Sequence, residues 1–200
     1  MAPLRTDPFH PSDEQLMQRI VLRDERAFTL LFDRWQRKLL GYFLRMLRHD
    51  RPLAEDMLQE LFAKIAQRPQ SFDGARPFRT WLYSVANNMC KNEYRRAAVR
   101  TAALPLLRAE HNGHVPPQHG AAVDHAYFNQ RLLEELDKLD PDHKAAFVMR
   151  HQEDMSIREI AEVFAISEGT VKSRLFYTVK KLAERLPEFD GRPHATAQRR

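Results

Sequence analysis

Apolar residues recur every three or four positions along most of the chain, and no stretch alternates as a half-buried strand would. Ser12 to Gln15 has the spacing of a capping box and predicts a helix through about Leu22. Asp24 can cap the next helix, whose long apolar face is Phe28, Leu31, Phe32, Trp35, Leu39, Tyr42, Phe43 and Met46. Asp50 and Pro52 mark another start, with Met57, Leu58, Leu61, Phe62 and Ile65 on one side. After the loop "RPQSFDGARP", Pro77 opens a fourth helix with a core side of Phe78, Trp81, Leu82, Val85 and Met89.

The pattern degrades from about Ala97. The stretch that follows carries Gly113, Pro116, Pro117 and Gly120 and reads as a tether. Periodicity resumes with "FNQRLLEELDKL". Asp140-Pro141 then supplies an N-cap and first turn for a short buried helix containing "HKAAFVMRH". The expected fold is all-α: two small helical domains at 12–96 and 125–187, joined by a flexible linker at 97–124. Residues 1–11 read as a loose arm and 188–200 as a frayed tail.

The densest signal lies between Met155 and Leu186. Ser156 and Glu159 form a capping box, and Ile157, Ile160, Ala161 and Phe164 share one helical face. Ser167 caps a second helix with an apolar stripe of Val171, Leu175, Thr178, Val179, Leu182 and Leu186. Ser173, Phe176, Tyr177 and Lys180 fall on its far side, flanked by Lys172, Arg174 and Lys181. Two short helices across a tight turn match helix-turn-helix geometry, in which the second helix enters the major groove. Cations can reach phosphates or guanine edges there, and Phe176 can touch a thymine methyl. Spacing alone favours DNA reading only modestly over a core hairpin with a solvated basic face.

Composition narrows the picture modestly. A net charge of +5 over 200 residues favours a polyanionic partner only weakly. Cys90 is the single cysteine, which excludes an intrachain disulfide and a cysteine-rich metal site. No apolar run reaches membrane-spanning length and no signal-peptide core is visible, so a soluble intracellular protein without membrane insertion is expected. His111, His114 and His119 with Glu110 are the one conceivable metal set. They sit in the tether, where no helix would hold a coordination geometry, so no metal, cofactor or enzymatic chemistry is expected.

Two surfaces of the first domain stand out. Asp56, Gln59, Glu60 and Ala63 lie opposite the apolar stripe of the third helix, with Lys64 four residues after Glu60. Such an acidic spot on a basic protein could dock a basic surface, although from the residues alone an ordinary solvent face is the favoured reading. On the fourth helix, Thr80, Tyr83, Asn87, Lys91 and Tyr94 share the side opposite the core, and Arg79, Arg95 and Arg96 add charge. Rings interleaved with cations and amides suit unpaired bases; tyrosines covering the core edge would look the same.

"AEDMLQELF", "PFRTWLYSVANNMCKNEYRR" and "SIREIAEVFAISEGTVKSRL", in this order across a linker, resemble the extracytoplasmic-function (group IV) sigma factors of bacterial RNA polymerase. The resemblance covers about residues 15–96 and 128–186. It implies a first domain (region 2) that docks the polymerase β′ clamp through Asp56, Gln59 and Glu60. The same domain would open the −10 element with Ser71, Phe72 and Asp73 of the loop and Arg79, Tyr83, Asn87, Asn88, Lys91 and Arg95 of the helix. It implies a second domain (region 4) that packs on the β flap and reads the −35 element. The residues carried over there are Glu168, Gly169, Thr170, Lys172, Ser173, Arg174, Phe176, Tyr177 and Lys180. The partners implied are core polymerase and promoter DNA, in the bacterial cytoplasm, with an anti-sigma factor as a further candidate. The chain departs from the family in placing Tyr177 and Val179 where arginines are frequent, Asn92 for an aspartate, and Phe164-Ala165 for a Leu-Gly turn.

The function expected is therefore a promoter-specificity subunit with no chemistry of its own. A stand-alone helix-turn-helix regulator is the alternative, and it would leave the first domain's two surfaces idle.

Overall fold

A computed structural model describes residues 11–103 and 121–186, all of whose regular structure is helical. The loose arm, most of the tether, its histidines and the tail expected from sequence lie outside the described residues. In chain order the helices are α1 (Asp13–Val21), α2 (Glu25–Met46), α3 (Arg51–Gln67), α4 (Phe78–Ala103), α5 (Ala121–Leu136), α6 (Pro141–His151), α7 (Ile157–Phe164) and α8 (Glu168–Arg185). A single 3-10 turn spans Pro69–Ser71.

Local chemistry sets most of the helix starts. Ser12 Oγ accepts the Gln15 N–H at 3.2 Å, while Gln15 Oε1 accepts the Ser12 N–H at 2.8 Å. Asp24, Asp50, Asp140 and Ser167 cap α2, α3, α6 and α8 in turn, and the Ser156–Glu159 box opens α7. The start of α4 is different, because Pro77 supplies no capping side chain. Glu14 of α1 does so instead, accepting the Phe78 N–H at 2.9 Å across 64 residues of sequence. Burial works to raise the Glu14 pKa, but this bond and its other hydrogen bonds prevail and leave it lowered.

The first four helices bury a large aromatic core. Tyr42, Phe43, Phe78 and Tyr83 are fully buried, and Trp35 meets Phe78 edge-on at 6.0 Å. The Trp35 indole N–H is satisfied by Asp13 at 3.0 Å. This core does not end with the first domain. Ala145, Ala146, Val148, Met149, Met155, Ile160, Val163, Val171 and Leu175 continue it. α7 packs on α4, and α6 packs on α2. A smaller cluster of Leu136, Phe147 and Leu182 ties the second half together.

α4 runs to Ala103 and α5 is already helical at Ala121, so both helices reach into the stretch read as a tether. One expectation needs correction. Val179 is 47% exposed and does not belong to the apolar stripe of α8. The stripe needs a residue every three or four positions, and Thr178, fully buried with its hydroxyl bonded to the Arg174 carbonyl at 2.8 Å, fills that turn instead.

Candidate nucleic-acid and protein-docking surfaces

The acidic surface on α3 lies open to solvent. Asp56, Gln59 and Glu60 are all exposed, while Met57, Leu58, Leu61 and Phe62 between them are buried. Lys64 pairs with Glu60 at 2.7 Å, and both are about half exposed, so the pair is worth only a few tenths of a kcal/mol. Among the described residues Asp56 has no such partner. A carboxylate held outward on a packed helix is suited to meeting a cationic surface.

The loop before α4 is built as a turn. Asp73 accepts the Ala75 N–H at 2.9 Å, and Gly74 takes a φ of +70°, which favours glycine. Ser71 and Asp73 are exposed. Phe72 is half-buried, edge-on to Phe78 at 5.5 Å and beside Trp81 at 5.4 Å. The loop is thus fastened by one ring and the Asp73 turn, and it leaves Ser71 and Asp73 open to solvent.

α4 itself overturns the expectation that Thr80, Tyr83 and Asn87 face away from the core. Thr80 and Tyr83 are fully buried and Asn87 is 3% exposed. Tyr42 donates its hydroxyl proton to Asn87 Oδ1 at 3.4 Å. Tyr83 donates to the Glu153 carboxylate, and burial first, then that carboxylate, hold its pKa far above the ordinary tyrosine value. Tyr94 donates to the Met46 carbonyl. The physical reason is that α4 has two covered sides. Its apolar stripe meets α1, α2 and α3, and the polar-aromatic side meets α2 and the second half of the chain. Of the residues carried over to the −10 element on this helix, only Asn88 and Arg95 are exposed. Lys91 is half-buried, paired with Asp142 at 2.8 Å and 5.5 Å from the centre of the Phe164 ring. Arg79 donates to the Glu153 carbonyl and lies 3.6 Å from the Glu159 carboxylate.

α7 and α8 form the predicted helix-turn-helix. The turn pivots on Ala165, which adopts the left-handed conformation with φ of 53°. Its N–H donates to the carbonyls of Ala161 and Glu162, as glycine commonly does one residue past a helix. Alanine therefore keeps the turn's shape at a steric cost of about 1–2 kcal/mol.

On α8, Glu168, Gly169, Thr170, Lys172, Ser173 and Lys180 are exposed as expected. Phe176 and Tyr177 are 66% and 57% exposed and meet edge-on at 5.6 Å. Arg174 is the exception. Its guanidinium turns inward, 3.4 Å from Asp142 and 5.2 Å from the centre of the Phe164 ring, with Nη1 buried and unpartnered. It was expected beside the free residues because helical spacing places it near the exposed arc. The missing information was the carboxylate on α6 that draws it in.

Glu153 and Asp142 are the residues sequence reasoning missed. Glu153 lies between α6 and α7, 8% exposed, and collects Arg45, Arg79 and Tyr83 from the first half. No periodicity marks an acidic residue in a short connection, and its partners are 70 to 108 residues away in sequence.

Residues 31–100 match the protein family described as Sigma-70 region 2, and residues 129–182 match Sigma-70, region 4. Among curated relatives, the ECF RNA polymerase sigma-E factor of Haemophilus influenzae is 33% identical over 174 residues, spanning 82% of this chain and 90% of its own. The RNA polymerase sigma-H factor of Pseudomonas aeruginosa is 33% identical over 172 residues, with 82% and 88% covered. Among solved structures, the sigma factor RpoE of Bartonella quintana, in complex with the anti-sigma factor NepR, superposes with a TM-score of 0.66. It is 20% identical, with 82% of this chain and 99% of that one covered. CnrH, in complex with the cytosolic domain of CnrY, gives 0.65 at 23% identity, with 88% and 98% covered. These two likenesses concern the fold. The chain belongs to the sigma-70 family and carries its regions 2 and 4. It is an alternative sigma factor, directing promoter-specific transcription initiation.

Proposed function

We propose that this sigma factor is of the extracytoplasmic-function group and acts in the cytoplasm. Residues 12–96 would serve as region 2, 97–124 as linker and 125–187 as region 4. The observation that carries the reading is the order on one chain of an exposed acidic helix, an aromatic-basic helix and a helix-turn-helix. Asp56, Gln59 and Glu60 dock the β′ clamp of core polymerase. Ser71, Phe72, Asp73, Asn88 and Arg95 serve the −10 element from the loop and the open side of α4, and Arg79, Tyr83, Asn87 and Lys91, covered in this structure, serve it once α4 is uncovered. Glu168, Gly169, Thr170, Lys172, Ser173, Arg174, Phe176, Tyr177 and Lys180 serve the −35 element, and the second domain also packs on the β flap. Capture of unpaired bases at −10 offsets a few kcal/mol of unstacking per base. RpoE of Bartonella quintana was solved with the anti-sigma factor NepR and CnrH with the cytosolic domain of CnrY, which supports an anti-sigma factor as a partner here. A stand-alone regulator leaves the α3 face without a role and is disfavoured by the region 2 match.

The test is co-purification with core polymerase, followed by transcription in vitro. Asp56→Ala with Glu60→Ala should leave helicity unchanged and weaken core binding by a few kcal/mol. Undiminished binding would remove the clamp assignment.

A further inference from the structure

Each half of the molecule presents cations assigned above to DNA, and three of them, Arg79 and Lys91 of the first half and Arg174 of the second, are held by residues of the second half. Glu153, its side chain 5% exposed, receives the Arg45 guanidinium and the Tyr83 hydroxyl on its carboxylate. Its backbone carbonyl receives Arg79. Asp142, at the start of α6, holds Lys91 of α4 at 2.8 Å by one oxygen and Arg174 of α8 at 3.4 Å by the other. The Phe164 ring lies against both of those cations. Lys144, almost fully buried, crosses to the Met46 carbonyl at 3.1 Å and is neutralised by Asp137 at 2.5 Å. Asp56, Gln59 and Glu60 remain open throughout.

We propose that Glu153 and Asp142 are internal counter-ions that lock regions 2 and 4 together in the free protein and occupy the cations meant for promoter DNA, leaving the clamp-docking face free. The inference rests on the DNA assignments of Arg79, Lys91 and Arg174. A carboxylate offers guanidinium and ammonium groups the same charge-assisted hydrogen bonds as a phosphate oxygen, so the two compete for the same donors. An apolar seam alone would hold the halves together whatever anion is nearby. A seam closed by buried ion pairs depends on each pair being complete, since removal of one partner strands a buried charge. Core polymerase can engage α3 while the lock is shut. Until the lock opens, DNA meets only the exposed residues, among them Lys172, Ser173, Phe176 and Lys180 of α8 and Asn88 and Arg95 of α4, and its apparent affinity is reduced by the fraction of molecules that are closed.

Cys90 reports on the lock. It is fully buried on α4, and Lys144 of the second half lies near enough to act on its thiol electrostatically. Burial pushes that thiol up to about 12, so at neutral pH it is nearly all protonated and shielded from reagent. The experiment uses the full chain without polymerase. It compares wild type, Glu153→Gln and Asp142→Asn for the rate of Cys90 labelling by a disulfide reagent and for radius of gyration by X-ray scattering. It also measures affinity for a fluorescent single-stranded 20-mer of mixed sequence, with circular dichroism as the fold control. Both variants should stay helical, expand, label roughly tenfold faster and bind the 20-mer roughly tenfold tighter, the size expected when a mostly closed population opens. Unchanged labelling and size would overturn the lock while leaving the DNA assignments standing. Opening without tighter binding would overturn the masking together with those assignments. Should Glu153→Gln lose helicity, wild type is compared at low and high salt: faster labelling at high salt with helicity retained supports the lock, and equal rates overturn it.

Discussion

α4 and α8 both carry aromatic and basic residues on what helical spacing marks as the outer face, yet the fold treats the two faces oppositely. α8 keeps Lys172, Ser173, Phe176, Tyr177 and Lys180 in solvent. α4 buries Thr80, Tyr83 and Asn87 and ties up Arg79 and Lys91. Periodicity locates the side of a helix that meets one core. It is silent on a second neighbour, and a seam made of tyrosine, asparagine and paired charge looks in sequence like a surface awaiting a ligand.

Substitutions of equal size on the two helices separate them most widely. Tyr83→Ala should cost about 3–5 kcal/mol in urea denaturation, as large aromatic deletions from a packed core do. Tyr177→Ala should change stability by no more than about 0.5 kcal/mol. Near-equal values would end the distinction. Leu175→Ala on the buried side of α8 should cost about 2–5 kcal/mol and spoil the fold of the helix-turn-helix, whereas Lys172→Ala should leave stability alone. The latter should weaken binding to a −35 duplex by about 1–3 kcal/mol if it reads a base, and evenly across sequences with a smaller salt dependence if it holds phosphate.

Smaller effects sharpen the picture of what aims α8. Ala165→Gly should raise stability by about 1 kcal/mol, because glycine takes the left-handed turn without steric cost while losing some chain entropy. A loss on that substitution would show that Ala165 is at ease. On α1, Glu14 has its pKa lowered by folding, net of the burial that opposes it. A depressed carboxyl pKa stabilises the folded state above the unfolded value, ordinarily 4.5, and that contribution is lost as pH falls through the folded value. Glu14→Gln should therefore flatten the acid limb of a stability–pH curve and change little in its shape at neutral pH.

Much of this architecture was legible because its signals are local. Ser12, Asp24, Asp50, Asp140, Ser156 and Ser167 begin helices through bonds to residues two or three positions on. The α7–α8 hairpin and the open α3 face follow from the same short-range rules. Illegible were the contacts spanning the chain: the Glu14 cap on α4, the gathering of donors at Glu153, and the inward turn of Arg174. Charge at positions 142 and 153 is visible in sequence. That it sits beside Lys91 and Arg45 depends on how two domains pack, and no nearby residue announces that.

The convergence on Glu153 has an evolutionary corollary. One carboxylate and its own carbonyl serve Arg45, Arg79 and Tyr83, drawn from two helices. A lineage that replaced Glu153 by an apolar residue would strand the Arg45 guanidinium and the Tyr83 phenol while keeping the backbone carbonyl that Arg79 uses, and one that replaced Arg45 alone would leave the acid short of a countercharge. Three positions are thus bound into one unit of inheritance: among related chains, changes at 45, 83 and 153 should arrive together, while position 177 on the open helix drifts on its own.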